Sequence, residues 1–202
     1  MLFVTIRLVF WGLVFAACFL AIRKSRVIHK RKWFFITIFI AIIFTILSAL
    51  IPVENAFVTF KSPKSAYNYI NSGDVKLIVN GETTDFVIGQ NGDVDSYLIV
   101  PKSGEGWKLG MGFDTQRVCQ LVSNGIAIYV YQYKHSGEYY ITVLDTNGGI
   151  SEISDNYNSE FTHLDKTNLA LEKTFYTYYA YIGDLNDDYT ITVNGNKLQL
   201  KN

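Results

Sequence analysis

The sequence predicts a two-helix transmembrane hairpin followed by a mainly-β extracytoplasmic domain, which is an antiparallel sandwich or a partly open barrel with one short helix. Three observations lead to this fold class. Two long apolar runs flank a short basic segment near the N-terminus, all 18 acidic residues lie at Glu54 or later, and apolar residues alternate with period two after Pro52. The formal net charge of zero therefore hides a basic first quarter and an acidic remainder.

The two apolar runs are predicted to be membrane spans. Residues 33–51 are 19 consecutive uncharged residues. Residues 1–22 are apolar apart from Thr5 and Arg7, and the long Arg7 side chain can extend to the membrane surface near one end of the helix. At about 1.5 Å per residue, such runs approach the thickness of a hydrocarbon core. The predicted organisation is a transmembrane helix over 1–22, a basic cytoplasmic loop over 23–32, a second transmembrane helix over 33–52 and an extracytoplasmic β domain over 53–202.

The basic loop sets the predicted orientation. Short loops rich in Lys and Arg stay on the cytoplasmic side, so we expect a cell-membrane location with two spans, the lipid bilayer as a partner and the C-terminal domain outside the cytoplasm. A cleaved signal peptide or a lipoprotein lipidated at Cys18 is the alternative, but the basic residues follow the first apolar run instead of preceding it. The acidic domain would repel phosphates, which argues against a nucleic-acid partner.

Small side chains recur every four residues in both runs, at Gly12 and Ala16 in the first and at Ala41, Thr45 and Ala49 in the second. Such stripes let helix backbones approach closely. They predict packing of the two helices against each other or against the helices of a partner.

The remainder of the chain reads as strands separated by turns. Asn-Gly pairs at positions 80, 91, 124 and 194 suit two-residue hairpins of type I′, which join antiparallel neighbours. Residues 151–158 are predicted to be an irregular connection, and residues 165–174 a helical turn or crossover. The predicted strands cover residues 75–79, 84–88, 96–100, 107–111, 116–122, 126–133, 139–144, 175–182, 189–193 and 197–200.

One short helix is predicted to begin after Ser62. The Ser62 side chain can cap the first amides, Pro63 suits the first helical position and Gly73 suits a left-handed stop. We expect this helix to close one end of the sheet.

Residues 52–63, together with Ala66 and Tyr69, resemble the segment that follows the last span in a group of small membrane proteins of low-GC Gram-positive bacteria. The resemblance covers about 20 to 40 residues and implies an envelope location. It implies no activity and carries over no catalytic residue.

Few residues are candidates for catalysis or metal binding. Cys119 could be a nucleophile with Arg117 nearby, as in a sortase, but both outer histidines follow it in the chain, so a small buried side chain is favoured. The segment 184–188 carries calcium-type oxygen ligands but lacks the EF-hand glycine and glutamate, so a polar turn is favoured. The sequence therefore predicts no catalytic residues, no metal site and no cofactor.

Tyr129, Tyr131 and Tyr133 form the predicted binding site. They alternate with aliphatic residues and lie on one face of their strand, where an exposed row of tyrosines could contact a partner. Tyr140, Trp107, Tyr176 and Tyr178 could extend the row, although strand preference alone also explains these tyrosines.

The resulting functional prediction is a non-catalytic interaction or sensing module. Its expected partner is a cell-wall or other envelope component, or a membrane protein. An envelope enzyme with an unrecognised site and an accessory subunit of a larger membrane complex are the alternatives.

Overall fold

The computed structural model describes residues 2–24, 30–50, 52–92, 94–110, 114–134, 136–145, 149–168 and 173–200. Two helices begin the chain, α1 (Leu2–Lys24) and α2 (Lys30–Leu50). They lie side by side and contact each other through aromatic side chains. The ring centroids of Trp11 and Phe44 are 5.6 Å apart, and those of Phe19 and Phe34 are 5.9 Å apart. We call α1 and α2 the helical hairpin.

The membrane assignment of these helices is wrong. Within the described residues, no helix has both the length and the hydropathy that a membrane span requires. Arg7 does not snorkel but is buried in an ion pair with Glu54. The transmembrane hairpin, the two-span cell-membrane location and the extracytoplasmic placement of the β domain are therefore corrected.

The link from the hairpin to the β domain is a 3₁₀ helix (Val53–Ala56), followed by α3 (Pro63–Ile70). The predicted start of α3 is confirmed, because the Ser65 amide donates to Ser62 Oγ at 3.1 Å and Pro63 is the first helical residue. The predicted stop is wrong. The helix ends at Ile70 and is followed by Asn71 in an extended conformation, and Gly73 instead allows the close approach of the Gln90 carbonyl.

The remaining elements are twelve strands among the described residues, in three antiparallel sheets. The four-stranded sheet has the order β1-β2-β3-β4, the five-stranded sheet β5-β6-β7-β10-β9 and the three-stranded sheet β12-β11-β8. The strands are β1 (Asp74–Asn80), β2 (Thr84–Asn91), β3 (Val94–Ser103), β4 (Gly106–Trp107), β5 (Thr115–Ser123), β6 (Ile126–Tyr133), β7 (Tyr139–Asp145), β8 (Ile153–Asp155), β9 (Thr162–Asn168), β10 (Lys173–Ile182), β11 (Thr190–Val193) and β12 (Asn196–Gln199).

The sheets stack in layers, with α3 at one side and the three-stranded sheet at the other. The layer between α3 and the four-stranded sheet holds Ala66, Tyr67, Val87 and Val100. The aromatic layer lies between the four-stranded and five-stranded sheets and is built on buried Phe86, Ile88, Ile99, Tyr140 and Tyr179. The aliphatic layer lies between the five-stranded and three-stranded sheets and is built on Ile128, Val130, Ile141, Val143, Ile191 and Val193.

The predicted mainly-β architecture holds, and three segments differ from their predictions. The strand predicted over 107–111 is reduced to β4, which ends at Trp107. Residues 151–158 contain β8, and residues 162–168 form β9 at an edge of the five-stranded sheet. Two Asn-Gly turns are confirmed by positive φ at both residues, 49° and 80° at Asn124 and Gly125, and 48° and 77° at Asn194 and Gly195. Neither Asn80 nor Gly81 has a positive φ, and Gly81 is needed because a Cβ there would collide with the Tyr140 hydroxyl.

Candidate functional site

The predicted tyrosine row lies on β6 and faces the aromatic layer. Tyr131 is half-buried, with its ring centroid 5.7 Å from that of Phe86 and 5.9 Å from that of Tyr97, both on the four-stranded sheet. Tyr133 is also half-buried, and its hydroxyl donates to Asp114 Oδ2 at 3.1 Å. The row therefore forms part of the contact between two sheets.

Tyr129 lies at the end of the row. It is half-buried, and the Arg117 guanidinium carbon stands 5.5 Å from its ring centroid, within the range of a cation–π contact. Arg117 is exposed, and the register of β5 against β6 shifts between Arg117 and Cys119. Tyr129 thus lies beside a solvent-exposed cation, as does Tyr133, whose ring centroid is 5.8 Å from Lys134 Nζ.

Burial raises the pKa of the Tyr131 hydroxyl above its ordinary value, although the Arg117 charge opposes the shift. Burial also raises the pKa of Tyr133, and the carboxylate of Asp114 adds to this effect. These hydroxyls are therefore neutral donors at physiological pH, as a contact layer between sheets requires.

The expected extensions of the row divide between three layers. Tyr140 pairs with Tyr131 across the strands and is fully buried in the aromatic layer. Tyr178 packs on the opposite face of the same sheet, in the aliphatic layer, and its ring is 6.5 Å from that of Tyr176. Trp107 packs beside α3. The seven aromatic residues do not form one continuous surface.

A cleft opens where the aromatic layer meets solvent, between the four-stranded sheet and strands β9 and β10. We call it the intersheet cleft. Its volume is about 240 Å³. Ile88, Leu164 and Tyr179 supply its apolar lining, and the polar and charged lining comes from Lys76, Gln90, Asp95, Asp165 and Thr177.

A β-bulge sets the position of Lys76 at this cleft. Val75 packs toward α3 and Leu77 packs into the aromatic layer, and the register of β1 against β2 shifts between them. A bulge re-aims side chains, and here it places an exposed ammonium at the cleft. No predicted site included Lys76, because a bulge leaves no mark in a period-two pattern.

Glu138 joins the two large sheets at another edge. Its carboxylate accepts hydrogen bonds from the Thr83 amide at 2.6 Å, the Thr83 hydroxyl at 2.9 Å and the Thr84 hydroxyl at 2.7 Å. Burial acts to raise the pKa of Glu138, but the Thr84 and Thr83 hydrogen bonds outweigh it and hold the pKa below the ordinary value. These donors occupy the carboxylate, so its role is structural.

A second buried carboxylate joins the helical hairpin to the β domain. Arg7 Nε lies 2.7 Å from Glu54 Oε1, and Arg7 Nη2 lies 2.8 Å from Glu54 Oε2, a two-point ion pair. Tyr69 of α3 also donates to Glu54 at 3.4 Å. Burial would raise the pKa of Glu54, but the Arg7 hydrogen bonds and charge hold it below its ordinary value.

The remaining predicted candidates have structural positions. Cys119 is half-buried against the aliphatic layer. Residues 184–188 connect β10 to β11, with Leu185 buried in the same layer and the Tyr189 amide bonded to the Asn186 carbonyl. In the described part of the chain, no group of three or more His, Cys, Asp or Glu residues could hold a metal ion.

The comparison with known proteins adds no relative to this description. No family model, curated protein or solved structure matches the chain. The resemblance of residues 52–69 to a group of small membrane proteins therefore stays a prediction, and functional inference rests on the geometry of the chain's own residues.

Proposed function

We propose that this protein is a non-catalytic interaction module, and that its helical hairpin binds an apolar helix of a partner protein. The observation that carries the proposal is the exposed apolar surface of the hairpin. Leu13 is 67% exposed and Phe39 is 65% exposed, and further large apolar side chains of both helices are exposed beside them. Contiguous apolar surface of this kind marks an interaction site.

The shape of this surface favours a helix as the occupant. An apolar groove of about 290 Å³ runs between α1 and α2, lined by Trp11, Phe15, Ile40 and Phe44 among others. Gly12 and Ala16 are exposed, and a Cβ at Gly12 would meet nothing within 4 Å. The stripe of small residues formed by Gly12 and Ala16 is therefore exposed and would let a partner helix approach closely.

The basic residues at one end of the hairpin indicate the charge of the partner helix. Arg23 and Lys24 are exposed at the end of α1, and α2 begins with the basic sequence of residues 30–32. A partner helix whose apolar stretch is flanked by acidic residues would complement both the apolar surface and this basic end. The non-catalytic part of the proposal is supported by Glu138 and Glu54, whose carboxylates are occupied by partners within the fold.

Site-specific photo-crosslinking in cells tests this proposal. A photoreactive residue is placed at Leu13 or Phe39, and Val94, which is 69% exposed on the β domain, is the control position. We expect both hairpin positions to crosslink to the same apolar helix of one partner, identified by peptide mass spectrometry, and Val94 not to do so. Crosslinks only to a second copy of this chain, or to no common helix, would overturn the proposal.

A matched pair of variants tests the close approach. Gly12→Leu fills the open stripe without a clash inside the chain, whereas Ala17→Leu adds bulk at another exposed position of α1. We expect Gly12→Leu to abolish the crosslink and Ala17→Leu to preserve it. Equal yields from the two variants would show that the partner does not pack on the stripe.

A further inference from the structure

The intersheet cleft has the size of a small metabolite. Its volume of about 240 Å³ is far above the roughly 10–15 Å³ that a single water molecule needs. It lies between two sheets that are held together by the aromatic layer, so its walls belong to strands and not to a loose loop. A site on strands holds its side chains in a fixed geometry.

Charges of both signs lie around the cleft. Asp95 comes from β3 and Asp165 from β9, so each large sheet contributes one carboxylate. Lys76 contributes an ammonium from the bulge of β1. Lys76 is 3.9 Å from Asp74, and Asp165 Oδ1 is 3.5 Å from His163 Nε2. Both pairs are exposed at the surface, and such pairs are weak enough to exchange for a ligand.

The apolar part of the lining comes from Ile88, Leu164 and Tyr179. Ile88 and Tyr179 are buried, and Leu164 packs against them at the edge of the aromatic layer. Because Ile88 and Tyr179 are each only 2% exposed, half-buried Leu164 is the apolar lining residue on which an aliphatic group can remove further area from water.

We propose that the intersheet cleft binds a zwitterionic amino acid with an aliphatic side chain. The ligand carboxylate pairs with Lys76, the ligand ammonium pairs with Asp95 and Asp165, and the aliphatic group lies on Ile88, Leu164 and Tyr179. The combination of one cation, two anions and an apolar lining distinguishes this ligand class from simple amines and simple acids. The site is separate from the helical hairpin and gives the β domain a sensing role.

Isothermal titration of the full-length protein with three small molecules tests the ligand class. L-Leucine carries all three features, isoamylamine lacks the carboxylate and 4-methylpentanoate lacks the ammonium. We expect saturable binding of L-leucine at one site, with each analogue about tenfold weaker or worse, because each loses a charge-assisted contact. No binding of L-leucine, or equal binding of either analogue, would overturn the proposal.

Charge-removing variants assign the roles. We expect Lys76→Met to weaken L-leucine about tenfold while leaving isoamylamine unchanged, and Asp95→Asn to weaken L-leucine while leaving 4-methylpentanoate unchanged. Lys197→Met and Asp184→Asn remove the same charges at exposed positions that do not line the cleft. If the cleft variants bind L-leucine as tightly as these controls, the proposed site is wrong, whatever the crosslinking of the hairpin shows.

Discussion

The two faces of the five-stranded sheet are both covered, but by different chemistry. The face toward the three-stranded sheet is aliphatic, with Ile128, Val130, Ile141 and Val143 at its centre. The opposite face is aromatic, and Phe86 of the four-stranded sheet packs against the tyrosines of that face. Alternation in β6 thus separates two interiors, whereas the sequence pattern alone suggested one core and one possible binding surface.

The difference shows why tyrosine suits a layer that is open at its edges. A tyrosine ring buries apolar area while its hydroxyl reaches a polar group or water. At one edge of the aromatic layer the Tyr140 hydroxyl donates to the Thr84 carbonyl at 2.8 Å, and at another the intersheet cleft opens beside Tyr179. The aliphatic layer carries such hydroxyls away from its Ile and Val centre, where Tyr189 donates to Asp155 Oδ2 at 2.7 Å.

The largest expected effect is at the centre of the aromatic layer. Phe86→Ala should lower the free energy of unfolding by about 4 kcal/mol, because it removes contacts with Tyr97, Tyr131, Tyr140 and Tyr179 and leaves a cavity. Ile141→Ala in the aliphatic layer should cost about 3 kcal/mol. Urea denaturation measures both, and a cost below about 1 kcal/mol for Phe86→Ala would mean that the aromatic layer is not a core.

The next effect is at the polar edge that joins the same two sheets. Glu138→Gln should cost about 3 kcal/mol near neutral pH, because it removes a buried charged acceptor from Thr83 and Thr84. The folded-state pKa of Glu138 lies below its ordinary value of 4.5, so its contribution is present above about pH 4.5 and is lost as the pH falls further. Denaturant midpoints at pH 7 and pH 3 should show the variant's deficit shrinking in acid, and a pH-independent deficit would contradict this account.

The tyrosine row should show a gradient along β6. Tyr131→Ala should cost about 2.5 kcal/mol, because the ring packs between Phe86 and Tyr97, whereas Tyr129→Ala should cost about 1 kcal/mol at the open edge beside Arg117. Chemical denaturation of the two single variants compares them. Equal small costs would return the row to the role of an exposed binding surface.

The smallest expected effect has the opposite sign. The Thr142 hydroxyl is buried on β7 without a hydrogen-bond partner among the described residues. Thr142→Val keeps the shape and removes the unpaired hydroxyl, so it should stabilise the protein by about 1 kcal/mol. Thermal unfolding detects this as a raised Tm, with Thr190→Val, at a buried position of β11, as the control. A lowered Tm for Thr142→Val would contradict the prediction.

Most of the β architecture could be predicted because local chemistry determines it. β6 spans Ile126–Tyr133 as predicted, since alternation is uninterrupted there and an Asn-Gly turn precedes it. The start of α3 was equally accessible, because Ser62 and Pro63 act within a single turn. Strand β9, with sequence THLDKTN, was missed because an edge strand can be polar and shows no apolar alternation.

The cleft was harder to predict from the sequence, since it depends on contacts between distant segments. Lys76, Asp95 and Asp165 line one cleft only because two sheets stack and β1 carries a bulge. The same limit applies to the helices. The hydropathy of residues 1–22 predicted a membrane span. Hydropathy carries no information on the ion pair between Arg7 and Glu54, which lie 47 positions apart in the sequence.

The Arg7–Glu54 ion pair couples the position of the helical hairpin to that of the β domain. Glu54 is followed by Asn55, whose side-chain amide donates to the Leu109 carbonyl at 2.7 Å and accepts from the Leu109 amide at 2.8 Å, two residues after β4. Lys108 adds a tie to the Asn55 carbonyl at 2.7 Å. A partner that tilts α1 would pull on Arg7, and the displacement would reach Leu109 through two consecutive residues. Movement of the hairpin would thus be transmitted to the adjoining edge of the β domain, as strain on the segment that follows β4.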